Sequence, residues 1–207
     1  MIDVFTVDNV RTGLAKSDRG SFILTRPDTM VAHTIDALLD RNAAVDPGEV
    51  EDVTVGIAEH VGEQGGNMAR LAVVLSKLPI TTAATTINRF CSSGVQSVAF
   101  AANQIASGQT EVAMAGGVES ISMRARQTAP EYEMNPRLLK EKPDIFMAMG
   151  NTAEVVARRY NVSRETQDKY ALQSQSRYAH AAEQGWICLL YTSPSPRDAT
   201  LSRMPSS

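Results

Sequence analysis

One of the two cysteines in this 207-residue chain stands where a cysteine can do chemistry. Cys91 follows the β-branched run Thr85-Thr86-Ile87-Asn88, which reads as a strand. It precedes Ser92-Ser93-Gly94 and a long small-residue stretch that reads as a helix. A thiol at such a junction meets the positive end of the helix dipole and backbone N–H groups without intrahelical partners. Both favour the thiolate, the reactive form. The same N–H groups can stabilise an oxyanion on a carbonyl under attack. The small residues after Cys91 would let a thioester approach the backbone closely, much as in the strand-to-helix nucleophile turn of hydrolases. On these residues alone two readings stay open: a catalytic nucleophile, or one of the inert cysteines common in protein cores.

Other candidates are weaker. Cys188 has no CxxC or Cys/His partner at ligand spacing, so a disulfide framework and a metal site are not expected and a reducing compartment fits. His33, His60 and His180 fall in no recognisable pattern and read as surface or loop histidines. Met149 could wall an acyl pocket or simply fill a gap in a core. With 43% hydrophobic residues, 21% charged residues and a net charge of -3, the chain has a globular balance. That composition argues against disorder and against a nucleic-acid surface. The N-terminus lacks a secretory pattern and no apolar run reaches membrane-spanning length, so a soluble, cytoplasmic protein is expected.

The elements that must position Cys91 can be read around it. A first strand is expected at Val4–Val7, then a turn through Asn9–Gly13. The period of Met30, Val31, Thr34, Ile35, Leu38 and Leu39 predicts a helix over Pro27–Arg41, with Asp28 as its cap. Val53–Ile57 reads as a buried strand, Glu59–Asn67 as a polar loop, and Met68–Leu78 as a helix halted by Pro79. The helix after Cys91 runs through Ile105, with Val95, Val98, Ala99, Ala102, Ile105 and Ala106 forming an apolar stripe and Gly108 as C-cap. Glu111–Ala115 is the next strand, ending in Gly116-Gly117. Alternating strands and helices define an α/β class.

Residues 1–121 therefore read as an α/β core. Residues 122–185 read as part of a loop-rich, substrate-covering domain, with helices near Thr152–Tyr160 and Arg164–Gln184, the second capped by Ser163. Residues 186–207 break with this texture. The run CLLYTSPSPRD resembles translated adapter sequence, and the segment is left out of the fold as a non-native tail. A genuine disordered tail is the alternative.

Asn88-Arg89-Phe90-Cys91-Ser92-Ser93-Gly94 resembles the acyl-enzyme motif of the thiolase family, and further matches fall in order around it. Val10-Arg11-Thr12 resembles the family's N-terminal turn. Gly62-Glu63-Gln64-Gly65 with Asn67 and Arg70 resembles the loop and helix before the nucleophile. Ala115-Gly116-Gly117-Val118-Glu119-Ser120 is similar to the AGGxES turn, and Met149-Gly150-Asn151-Thr152-Ala153-Glu154 to a loop-domain segment. Gly13 departs from the family's usual Pro. Ala148 departs from the His of acetoacetyl-CoA thiolases, which favours the degradative, broad-chain type.

The resemblance implies the first half of a layered αβαβα sandwich, cut short, with an exposed sheet edge prone to aggregation. It implies an acetyl-CoA C-acyltransferase of fatty-acid β-oxidation that cleaves 3-ketoacyl-CoA with CoA through an acyl-Cys91 intermediate, with Met149 beside the acyl group. Acyl-CoA and CoA are then substrates, with no cofactor, no metal, no nucleic acid and no membrane partner. A homodimer or homotetramer is implied for the complete enzyme. The family's catalytic His, second Cys and oxyanion Asn belong to a C-terminal half that these residues do not match. Alternatives are a short-chain acetyl-CoA C-acetyltransferase, a related condensing enzyme, and a non-catalytic fragment or interaction module. The purified 207-residue chain is expected to show negligible thiolysis of 3-ketoacyl-CoA, followed as loss of the substrate's enolate absorbance on adding CoA.

Overall fold

A computed structural model describes residues 2–124, 134–187 and 192–193. The chain divides into two units, one of residues 1–128 with 189–207 and one of residues 129–188. The first unit is built on strand β2 (Asp52–Gly56), in which Val53, Thr54 and Val55 are all buried. A strand buried on both faces belongs in the middle of a parallel sheet. It lies between β3 (Ala83–Ile87) and β4 (Ala113–Gly117), both parallel to it, with Thr54 opposite Thr85 and Ala115. The chain thus steps from β2 to β3 in one direction and back across β2 to β4. Right-handed crossovers in opposite directions put the two connecting helices on opposite faces of the sheet.

One face is covered by α1 (Pro27–Arg41) and α2 (Met68–Leu75). Ile35 and Leu39 of α1 pack with Met68, Ala69, Ala72 and Val73 of α2 over Val53 and Val55. Each fully buried Val, Leu, Ile or Met side chain here contributes about 1.5–3 kcal/mol. Helix α1 has the expected span, but Asp28 is not its cap. Pro27, with its preset φ, occupies the first helical position and makes Arg26 the cap. Asp28 is instead buried inside the first turn, accepting from the Arg26 guanidinium at 2.7 Å and from the Thr29 N–H at 2.8 Å. Helix α2 stops at Leu75, before the expected Leu78. The Lys77 N–H has turned away to Asp36 Oδ1 at 2.7 Å, so the helix has ended before Pro79 is reached.

On the other face lies α3 (Ser93–Ala106), where the expected stripe needs correction. Val95 is 69% exposed and Val98 half exposed, whereas the buried positions are Ser93, Ser97 and Ala101, four residues apart. The physical reason is backbone proximity. A Cβ on Gly56 would lie 2.3 Å from the carbonyl of Ser93, and one on Gly117 would lie 3.2 Å from the Gly94 Cα. Only small residues fit between helix and sheet at that distance, so the larger apolar side chains face outward. Ser97 Oγ lies 2.6 Å from both the Gly94 and the Gly116 carbonyl oxygens, bonding helix to strand. Gly108, at φ +74°, ends the helix as expected, its N–H reaching the Ile105 carbonyl at 2.9 Å.

No strand forms at Val4–Val7, where Phe5 is 80% and Val7 81% exposed. A strand needs a ladder partner within about 4.8 Å. Instead, a cavity of about 970 Å³, lined by residues of the Val4–Ser17 segment, α1 and β4, lies beside this stretch. Asp8 ties the segment to the end of α1 through Asn42 Nδ2 and the Arg41 guanidinium, both at 2.9 Å. The Asn42 hydrogen bond, above all, holds the Asp8 carboxyl below the ordinary carboxylate range. A two-residue parallel ladder joins β1 (Leu14–Ala15) to Thr192–Ser193, inside the segment expected to lie outside the fold. The rest of residues 188–207 lies outside the described residues.

A short helix, α4 (Ile121–Arg124), follows β4. The second unit carries α5 (Pro136–Glu141), α6 (Met149–Arg159) and α7 (Arg164–Glu183). Ser163 caps α7 as expected, its Oγ accepting from the Thr166 N–H at 3.2 Å. Ion pairs Arg164–Asp168 and Lys169–Glu165 brace its exposed first turns. Helix α6 starts three residues before the expected Thr152, because Ala148 supplies the first helical carbonyl to the Thr152 N–H at 3.0 Å.

Gly56→Ala is expected to destabilise the chain by about 1–3 kcal/mol, the cost of overpacking a site closed by backbone. Urea unfolding followed by far-UV circular dichroism measures it, and a midpoint equal to wild type would contradict the close approach.

Candidate active site

Cys91 sits outside the C-terminal end of β3, one residue before the α3 cap Ser92, and it is an exposed free thiol. In this chain the thiol is not buried among core side chains. The rim beyond the C-terminal ends of parallel strands is where ligands bind in open α/β sheets.

Local bonds shape the turn that carries it. Asn88 Oδ1 accepts from the Phe90 N–H at 2.8 Å, an Asx turn, and Phe90 takes a left-handed φ of +48°. Ser93 is buried and works in both directions: its Oγ accepts from the Arg89 N–H at 2.8 Å and donates to the Phe90 carbonyl at 2.6 Å. Ser92 Oγ donates to the Arg89 carbonyl at 2.9 Å, and the Arg89 guanidinium reaches Gln96. The Ser93 N–H is taken by the Phe90 carbonyl, but the N–H groups of Gly94 and Val95 bond to no backbone carbonyl. Free donors in the first turn of a helix can receive negative charge. Among the described residues no side chain hydrogen-bonds the Cys91 thiol, and no group of three or more His, Cys, Asp or Glu forms a metal-binding cluster.

The structure brings together two further segments that the sequence could only name separately. Gln64, fully buried, donates through Nε2 to the Glu59 carbonyl at 2.9 Å and to Glu119 Oε1 at 2.8 Å, and accepts from the Ser120 N–H at 2.5 Å. Glu119 Oε2 accepts from the Ala58 N–H at 2.7 Å, and the Ala58 carbonyl accepts from Asn88 Nδ2 at 2.8 Å. The loops after β2, β3 and β4 are thus joined side chain to backbone around the rim. Asn67 acts similarly below it, accepting the Arg70 N–H at 3.2 Å as the α2 cap and donating to the Ala84 carbonyl at 3.0 Å. These roles of Gln64, Glu119 and Ser93 escape a reading by residue type. The small polar spacing of Ser93 and Ser97, with Gly56 at a strand end, is the sequence signal that points to the close contact.

Met149 opens α6 in the second unit and is 80% exposed. His33 is exposed on α1, His60 is part-buried in the loop after β2, and His180 is exposed with its ring edge-on to Trp186 at 5.5 Å. Cys188 lies outside the described residues.

A parallel sheet flanked by helices, with a free thiol on the turn from β3 into a small-residue helix, defines an α/β protein. The family model for the thiolase N-terminal domain matches residues 4–187, and the chain belongs to that family. It is 40% identical over 188 residues to a 3-ketoacyl-CoA thiolase of Bacillus subtilis (strain 168), covering 89% of this chain and 47% of that protein. A 3-ketoacyl-CoA thiolase of Pectobacterium carotovorum is 37% identical over 185 residues, covering 89% and 47%. One of Pseudoalteromonas atlantica is 35% identical over 202 residues, covering 97% and 52%. The chain spans about half the length of these curated relatives. No helix among the described residues is long and apolar enough to cross a membrane.

Gln64→Leu leaves the Ser120 N–H, the Glu119 carboxylate and the Glu59 carbonyl without this partner in a dry site. A loss of about 2–4 kcal/mol in unfolding free energy is expected, measured by urea denaturation. A change below about 0.5 kcal/mol would show that these groups are paired elsewhere.

Proposed function

We propose that this chain carries the acyl-accepting part of a 3-ketoacyl-CoA thiolase, with Cys91 as the nucleophile. The observation that carries the reading is the exposed Cys91 thiol on a turn whose following helix offers the free Gly94 and Val95 N–H groups. The three relatives reported above, each named a 3-ketoacyl-CoA thiolase, support the substrate class.

In this reaction the thiolate of Cys91 attacks the 3-keto carbon and its electron pair forms the new C–S bond. The tetrahedral oxyanion collapses, the C2–C3 bond breaks, and its electrons leave with the two-carbon fragment. That fragment takes a proton and departs as acetyl-CoA, while the shortened acyl group stays on Cys91 as a thioester. The thiol of a second CoA gives up its proton, attacks that carbonyl and releases the shortened acyl-CoA, restoring the thiolate. The donors at the start of α3 are suited to negative charge in both steps. The resemblance assigns proton transfer to a His and a second Cys of the C-terminal half, and we propose that this half completes the site. Val95, Val98 and Phe100 on α3 and Leu71, Val74 and Leu75 on α2 are exposed, as expected of surfaces that meet further protein. Met149 is proposed to face the acyl chain in the assembled enzyme.

In the enzyme completed with a C-terminal half, incubation with a 3-ketoacyl-CoA should leave the acyl mass on the peptide containing Cys91. Cys91→Ala should abolish that adduct and lower kcat by at least about a thousandfold. Acyl transfer that persists in Cys91→Ala would remove the residue from this role.

A further inference from the structure

We propose that Asn88 is a positioning residue for Cys91: its side chain holds Phe90 in the left-handed conformation and ties the turn to the loop after β2. The proposal rests on the reading of Cys91 as the acyl-accepting nucleophile.

A φ of +48° is uncommon for an aromatic residue, and such conformations persist only where the surroundings over-determine them. Packing does not supply the restraint, because Phe90 is 74% exposed. Hydrogen bonds do. The Phe90 N–H is held by Asn88 Oδ1, and its carbonyl by the N–H and hydroxyl of Ser93. Ser93 belongs to α3 and fixes the turn relative to the helix. Asn88 fixes it relative to the neighbouring loop, since its Nδ2 donates to the Ala58 carbonyl at 2.8 Å. Ala58 is in turn held through its N–H by Glu119, and Glu119 by the fully buried Gln64. The anchor therefore runs from a buried amide in the interior to the residue preceding Cys91. Without it, Phe90 relaxes to a negative φ, the peptide entering Cys91 rotates, and the thiol shifts relative to the start of α3.

Glycine takes a φ near +48° as readily as its negative counterpart. If Asn88 acts by imposing that conformation, glycine at position 90 should make Asn88 dispensable. The test uses the 207-residue chain carrying Cys188→Ser, so that Cys91 is its sole thiol. The rate of carbamidomethylation by iodoacetamide at neutral pH is followed by intact-mass spectrometry, with far-UV circular dichroism as the check on folding. Asn88→Ala should react roughly fivefold more slowly than wild type with an unchanged spectrum. Asn88→Ser keeps a hydroxyl acceptor for the Phe90 N–H and should recover part of the rate. Adding Phe90→Gly to Asn88→Ala should recover most of it, which a merely structural role for Asn88 would not produce. Equal rates in Asn88→Ala and wild type, or no recovery with Phe90→Gly, would overturn the proposal. Should Asn88→Ala fail to fold, the comparison of Asn88→Ser with Asn88→Ser/Phe90→Gly decides it on the same criterion. This outcome is independent of acyl transfer. Normal rescue with no acyl adduct in the completed enzyme would refute the catalytic reading and leave the positioning intact.

Discussion

The first turn of α3 meets the ends of β2 and β4 with almost nothing but backbone between them. Gly56 and Gly117 leave the space, and Ser93, Ser97 and Ala101 use it. This contact sets the rest of the site. It places the start of a helix, with its free N–H groups, at the C-terminal rim of a parallel sheet. It also sets the length available to the turn, so the residues between β3 and α3 must reverse direction within a few positions. The left-handed Phe90 and the bonds from Ser93 and Asn88 are the local consequences. Hydrophobic burial on the α1–α2 face supplies stability, whereas the α3 face supplies geometry.

Gln64, Glu119 and Asn88 join the loops around the rim by hydrogen bonds. Gln64 and Glu119 bond to each other side chain to side chain, and between them they hold the Glu59 carbonyl and Ala58 N–H after β2 and the Ser120 N–H after β4. A buried amide with all its neighbours paired restricts conformational choice more than it adds net stability. Such restriction is what a nucleophile needs, because a displacement of a fraction of an ångström separates a productive approach from an idle one. Apolar side chains of α2 and α3 are exposed, and a cavity lies beside the N-terminal segment.

Much of this was legible in the residues. The span of α1, the Ser163 cap of α7, the Gly108 stop and the order of strands and helices follow from periodicity and capping chemistry, which act over a few neighbouring positions. The place of Cys91 on a strand-to-helix turn, and the family its neighbours identify, were equally local. Misreadings arose where a distant partner decided. Val4–Val7 has strand composition but no ladder partner. Helix α2 ends early because Asp36, from another helix, takes the Lys77 N–H.

By itself, the sequence determined the α/β class, the thiolase family and the place of Cys91 on a strand-to-helix turn, since each rests on short-range order or on a motif of consecutive residues. Tertiary structure alone decided which face of α3 is buried, that Gln64 and Glu119 meet, and that Asn88 reaches Ala58. The physical reason is that these depend on how closely two backbones approach. Hydrophobic pattern favours burying Val95 and Val98, but steric exclusion at the Gly56 contact overrides it, and no single segment carries that distance.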